Sequence, residues 1–171
     1  MYEIHWGDMT LDTFLKDYWQ QKPLLIRQAF PDLEPVISAD ELACLSLDEE
    51  VESRLIQFDP SKTLYKLTRG PLDPSLFESL PEKNWTLLVQ ALDHYSPNAN
   101  ALLKAFNFIP NWRVDDLMVS YATPGGGVGP HYDNYDVFLI QAEGTRHWQI
   151  GADEDSLSPR LPDAPVMILS D

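Results

Sequence analysis

The stretch Gly125-Gly126-Gly127-Val128-Gly129-Pro130-His131-Tyr132-Asp133 decides how the rest of the chain is read. Its glycines allow a tight backbone turn and keep side chains out of the way. The turn delivers a histidine and an aspartate two positions apart. On a β-strand, residues i and i+2 point to the same face, and their Cα atoms lie about 6–7 Å apart. One imidazole and one carboxylate can close that span around a metal ion. His-x-Asp is two-thirds of the two-histidine, one-carboxylate set that holds non-haem Fe(II) and leaves coordination positions open for chemistry. Taken bare, the pair is more often a turn-end histidine beside an ordinary strand aspartate, so the surrounding sequence has to tip the balance.

Working outward, Val137-Phe138-Leu139-Ile140 reads as a strand, Gly144 turns the chain, and Arg146-His147-Trp148-Gln149-Ile150 reads as its neighbour. Val166-Met167-Ile168-Leu169 is a further apolar strand. Upstream, Leu117-Met118-Val119-Ser120-Tyr121 and Trp85-Thr86-Leu87-Leu88-Val89-Gln90 are strands, and Ser96-Pro97 opens a helix through Leu102, Leu103 and Phe106. Short strands with turns at close intervals predict a barrel or sandwich for this latter part. A chain stopping just after Val166–Leu169 would leave a sheet with unpaired edges, so the sequence is expected to be a piece of a longer protein.

The first half mixes helix and strand. Thr10 caps an amphipathic helix through Trp19, with Leu11, Phe14, Leu15 and Trp19 on one face. Pro23 stops it, and Leu24-Leu25-Ile26 is expected as a short buried strand. Ser38 with Glu41 makes a capping box for a second helix. Arg54–Phe58 and Thr63–Leu67 flank Asp59-Pro60-Ser61 as a hairpin.

The 171 residues suffice for one domain with a sizeable core. Aspartate and glutamate number 27 against 12 lysines and arginines, a net charge of −15. That argues against direct binding to a nucleic-acid backbone, which rewards positive charge, and favours a basic polypeptide partner. Much of the acidity serves solubility alone. No apolar run is long enough to cross a bilayer, and the N-terminus lacks the pattern of a secretory signal. Cys44 is the single cysteine and cannot form an internal disulfide; a cytoplasmic location fits.

Several ordered blocks agree with one family. Phe14-Leu15-x-x-Tyr18-Trp19-x-x-Lys22-Pro23-Leu24-Leu25-Ile26-Arg27, Asp116–Ser120, Pro124–Pro130, the His131/Asp133 pair, and Tyr135–Gln141 through Arg146-x-Trp148 resemble the cupin-type JmjC ribosomal oxygenases. The resemblance implies a mainly β fold with α elements. It would be a double-stranded β-helix (cupin/JmjC) core, here incomplete, behind an α/β N-terminal region. Residues 1–84 would form that region and residues 85–171 the first part of the barrel.

By the same resemblance the parent protein is an Fe(II)- and 2-oxoglutarate-dependent dioxygenase that uses O2 to hydroxylate an arginine of a large-subunit ribosomal protein. It would dimerise through a region beyond this sequence. His131 and Asp133 would be iron ligands. The third ligand, a histidine, belongs to a later strand that no residue here matches, so these 171 residues alone are expected to be weakly active or inactive. Arg146, otherwise a surface arginine among excess acid, would clamp the distal carboxylate of 2-oxoglutarate with its guanidinium fork. Ser120, alternating with Met118 and Ala122 on one strand face, would add a hydroxyl beside it, with Met118 lining the same site.

His147 cannot share the inward face with Arg146, because adjacent strand residues point oppositely. His5 and His94 are weaker candidates still. Asp136 and Gln141 either line the cavity or serve structure, and the tryptophans read as core. Two other readings remain: a non-catalytic cupin-like binding module that keeps two ligand residues, and a metal-dependent cupin isomerase or sugar-binding cupin. The Trp19 to Arg27 block argues against the last.

Overall fold

The computed structural model describes residues 2–151, 157–159 and 169. Helix α1 (Leu11–Asp17) starts at Thr10, whose hydroxyl accepts from the Thr13 N–H at 3.1 Å. Helix α2 (Ala39–Leu45) carries the expected capping box. Ser38 Oγ accepts from Glu41 N, and Glu41 Oε2 accepts from Ser38 N at 3.0 Å. Strands β1 (Ser53–Asp59) and β2 (Leu64–Arg69) form an antiparallel hairpin. Its turn is set by Asp59, whose carboxylate accepts from both the N–H and the hydroxyl of Ser61.

Helix α3 (Pro74–Glu78) follows, capped by Asp73. Strand β3 (Trp85–Val89) pairs with the other side of β1. Helix α4 (Pro97–Leu103) begins with Ser96 as cap and Pro97 in the first turn, as read from the sequence. Strand β4 (Val119–Ala122) completes an antiparallel sheet of order β2-β1-β3-β4. The sheet therefore joins strands from both sides of residue 85.

Residues directly opposite in a ladder share a face, and the two faces differ in character. Leu55, Leu87 and Val89 lie on one, packed with Leu42, Val51, Leu72, Leu92 and Ala99 into the main core. The other face runs Arg54–Leu88–Ser120 in one row and Ile56–Thr86–Ala122 in the next. This second face carries polar groups amid buried apolar ones, and the glycine turn leaves from its edge after β4.

Several expected strands are absent. Leu24–Ile26 is irregular, with Leu25 70% exposed. Helix α1 ends before Trp19, and Leu15 is exposed rather than buried. Neither Val137–Ile140 nor Arg146–Ile150 is a strand, and the His131–Asp133 segment contributes a single bridge at His131. The partner there is Leu169, whose N–H donates to Pro130 O at 2.8 Å. The remainder of the Val166–Leu169 strand lies outside the described residues. Apolar sequence proposes a strand, but a ladder forms only when a second backbone lies alongside. Beyond β4, among the described residues, a second backbone lies alongside only at the His131–Leu169 bridge.

Candidate metal centre

The turn that presents His131 is clamped onto the start of β3. Asn84 N donates to Pro124 O at 2.9 Å, Thr123 N to Trp85 O at 3.1 Å, and Gly126 N to Thr123 O at 2.8 Å. Gly125 adopts φ +76° against the Asn84 side chain, and a Cβ on Gly126 would collide with the Trp85 carbonyl. Glycine is required at both positions: the first for its left-handed backbone, the second for close approach to another strand. Gly129 also has a left-handed φ of +78°. This aims its carbonyl back at His131.

His131 Nδ1 lies 2.9 Å from Gly129 O, and its Nε2 lies 3.4 Å from Asp133 Oδ2. A carbonyl can only accept, so Nδ1 carries a hydrogen and donates it. In the neutral ring this leaves the Nε2 lone pair directed at the carboxylate. Two lone-pair-bearing atoms facing each other need a proton or a cation between them. A neutral imidazole oriented through its other nitrogen, beside a carboxylate, is the usual make-up of a metal-binding wall. Its mixed donor set suits Fe(II). Both side chains are about one-third exposed, at 35% and 37%, so the wall is open to solvent. The sequence placed the two residues together correctly, although the backbone holding them is a turn and a bridge instead of a strand.

Among the described residues no cluster of three or more His, Cys, Asp or Glu side chains could hold a metal. His94 pairs with Asp93 at 3.7 Å, and neither His5 nor His147 joins the His131–Asp133 pair. Arg146 is half-buried, with its guanidinium over the Trp148 ring at 5.6 Å, and no described carboxylate pairs with it. Ser120 is exposed on β4 opposite Leu88. Met118 shares that face, its sulfur 3.8 Å from Arg54 Nη2.

Residues 101–171 match the family model for the JmjC domain. The chain is 43% identical over 148 residues to ribosomal protein uL16 3-hydroxylase of Escherichia coli, covering 86% of this chain and 37% of that protein. It is 42% identical over 163 residues to a probable ribosomal oxygenase of Haemophilus influenzae, covering 95% and 40%. The structure of YcfD, a ribosomal oxygenase from Escherichia coli, in complex with cobalt and 2-oxoglutarate superposes with a TM-score of 0.72 at 38% identity, over 78% of this chain and 35% of that one. This chain resembles the JmjC ribosomal oxygenases. It spans about two-fifths of the length of the curated relatives it matches.

In the JmjC segment and the strands behind it, four residues that the sequence reading placed only in strands or family blocks take on specific roles. Arg54 Nη2 donates to Gln90 Oε1 at 2.8 Å, and Gln90 Nε2 donates to Asp116 Oδ2 at 2.9 Å. Asp116 also accepts from Ala91 N. This chain of hydrogen bonds fixes the Arg54 end of the polar face beneath Met118. Tyr135 follows Asp133 by two residues. Partial burial, then the charges of Asp133, Asp115 and Asp116, push its phenol above the usual range, and Arg54 opposes them. The one signal in the sequence was Arg54 itself, a cation directly before the buried pair Leu55 and Ile56. Such a group requires a polar partner.

Of the two undecided residues, Asp136 accepts from Gln20 at 2.8 Å and Gln141 bonds within its own turn to Glu143 O. An aromatic cluster holds the same segment to α1: Phe138 stacks on Trp19 with centroids 5.6 Å apart and packs on Phe106 at 4.7 Å.

Proposed function

We propose that this chain belongs to an Fe(II)- and 2-oxoglutarate-dependent protein hydroxylase that acts on an arginine of ribosomal protein uL16. The observation that carries this reading is the His131–Asp133 pair, with Nε2 freed for metal by the Nδ1–Gly129 hydrogen bond. Its support from outside the chain is the similarity to uL16 3-hydroxylase and to a ribosomal oxygenase whose structure holds cobalt and 2-oxoglutarate. In this reading His131 Nε2 and the Asp133 carboxylate hold the metal. When bound, iron supplies the activation of O2 that hydroxylates an unactivated C–H bond, with 2-oxoglutarate as co-reductant.

The chain's own residues bind and orient. Arg146, unpaired by any described acid, offers its fork to the far carboxylate of 2-oxoglutarate. In this reading Ser120 and Met118, which share one face of the sheet, complete the cosubstrate site. The glycine turn keeps the approach to His131 free of side chains. Asp133, Asp115 and Asp116 concentrate negative potential around Tyr135, which favours a guanidinium side chain and disfavours an anionic one. The net charge of −15 extends this preference to a basic protein partner. No helix among the described residues is long and apolar enough to cross a membrane; a cytoplasmic location is part of this reading, since its substrate is a ribosomal protein.

The test is mass spectrometry of uL16 from cells with and without the gene, paired with a 2-oxoglutarate turnover assay of the purified chain. The reading predicts one added oxygen on a uL16 arginine that depends on the gene and on His131. An unmodified uL16 in both strains overturns it.

A further inference from the structure

Gln20 stands just past the end of α1 with a backbone φ of +57°. That left-handed conformation favours glycine, and a residue with a Cβ adopts it only at a cost. Helices commonly end on a glycine in this conformation. The side chain supplies the reason for glutamine here: Nε2 donates to Asp136 Oδ2 at 2.8 Å, across 116 positions of sequence. A glycine would suit the backbone and lose the bond. The turn is itself tied down, since Gln21 N and Lys22 N donate to Tyr18 O at 2.9 and 3.1 Å, and Trp19 N donates to Phe14 O at 2.9 Å. From this turn the Trp19 ring lies nearly parallel to Phe138, at an interplanar angle of 15°. The buried Phe14 meets Phe138 as well.

The segment gripped in this way carries one half of the candidate metal centre. Asp133 precedes Asp136 by three residues and Phe138 by five. On its other side His131 is fixed by its Nδ1 bond to Gly129 O and by the backbone bond from Leu169 N to Pro130 O. Among the described residues, no backbone–backbone hydrogen bond involves residues 132–150. Asp133 therefore lies in a short span pinned at His131 by the glycine turn, and at Asp136 and Phe138 by side chains from the end of α1. Three residues reach only about 10 Å at full stretch, so a displacement of Asp136 is passed on to Asp133. Ligands must be held to within about 0.5 Å of their working positions, and the groups around them do the holding.

We propose that Gln20 and Trp19 are positioning residues for the metal centre. The turn after α1 grips Asp136 and Phe138, and through them sets where the Asp133 carboxylate stands relative to His131 Nε2. The strained glutamine is kept because its side chain acts on the site, not because it stabilises the helix end. This proposal rests on the metal-pair reading above and extends it to residues of the N-terminal region.

The experiment is Mn(II) titration of the purified chain, followed by electron paramagnetic resonance, with thermal unfolding of each variant alongside. Gln20→Gly relieves the left-handed backbone and removes the bond. It is expected to unfold at the same temperature as wild type or higher, yet to bind Mn(II) about fivefold more weakly, the effect of one ordinary hydrogen bond. A purely structural role would move the two readouts together. Trp19→Leu is expected to weaken binding by about fivefold, and Trp19→Phe, which keeps a ring on Phe138, to stay within about twofold of wild type. Wild-type Mn(II) affinity in Gln20→Gly, or a weakened affinity matched by a lower unfolding temperature, overturns the positioning role alone. A wild type that binds Mn(II) no better than His131→Ala overturns the metal-pair reading, and the positioning role with it.

Discussion

Gln20 donates to the carboxylate of Asp136 at 2.8 Å, joining the turn after α1 to the segment that leaves the candidate metal centre. The bond is exposed, so its net contribution lies near the low end of the roughly 0.5–1.5 kcal/mol of such contacts. Gln20→Ala is predicted to leave global stability nearly unchanged and to speed amide exchange selectively over residues 136–138. Exchange mass spectrometry reads this directly. Unaltered protection there would show that the aromatic stack of Phe138 on Trp19 holds the segment unaided.

Gly129 has two jobs, a left-handed backbone and the carbonyl that orients His131. Gly129→Ala is predicted to cost about 1–2 kcal/mol from the backbone alone. Losing the oriented ring should also weaken metal binding by about 10–100-fold. Mn(II) titration followed by electron paramagnetic resonance measures the second effect, denaturant unfolding the first. Stability loss with wild-type metal affinity would separate the carbonyl from ligand orientation.

Asp133→Asn keeps the shape and removes the charge. If the pair holds the metal, Mn(II) affinity should fall at least tenfold while the unfolding midpoint moves little, since the side chain is partly exposed. The same variant should lower the Tyr135 phenol toward its ordinary value, because Asp133 is the largest of the charges raising it. Arg54→Gln should move that phenol the opposite way. Ultraviolet titration of the phenolate distinguishes the two signs, and shifts in one direction for both would refute the placement of Tyr135 between them.

The raised Tyr135 also sets a pH dependence. Its folded value lies above the unfolded reference of 10.0, so between the two the unfolded chain releases the proton first. The stabilising contribution is complete below about pH 10 and disappears as pH rises through the folded value. Tyr135→Phe is predicted to flatten this alkaline decline in stability. Identical alkaline limbs for the two proteins would count against it.

Gly126→Ala forces a methyl into the Trp85 carbonyl. Displacing a β3 backbone is predicted to cost about 1–3 kcal/mol, the range for overpacking, seen as a lower midpoint in urea. Gly127, around which nothing crowds, should accept alanine with far less loss.

Elements defined by neighbouring residues were legible from sequence. The Ser38–Glu41 box, Ser96-Pro97 and the Asp59 turn each complete their bonds within a few positions, and each stands where expected. Leu24–Ile26, Val137–Ile140 and Arg146–Ile150 were misread because a strand is a property of two backbones and the sequence shows one. The His131–Asp133 proximity survived that error, since a tight turn brings i and i+2 together as well as a pleat does. Arg54 was overlooked because its meaning lies in Gln90 and Met118, 36 and 64 residues away.

The link from α1 to Asp136 and Phe138 has a temporal side. Gln20 and its partner are separated by 116 residues, which a ribosome adding about 5–20 residues per second takes roughly 6–23 seconds to make. Through that interval Phe14 and Trp19 have left the ribosome before the ring that covers them exists. The nascent N-terminus therefore passes through a stage of exposed aromatic surface, when a holding chaperone matters most.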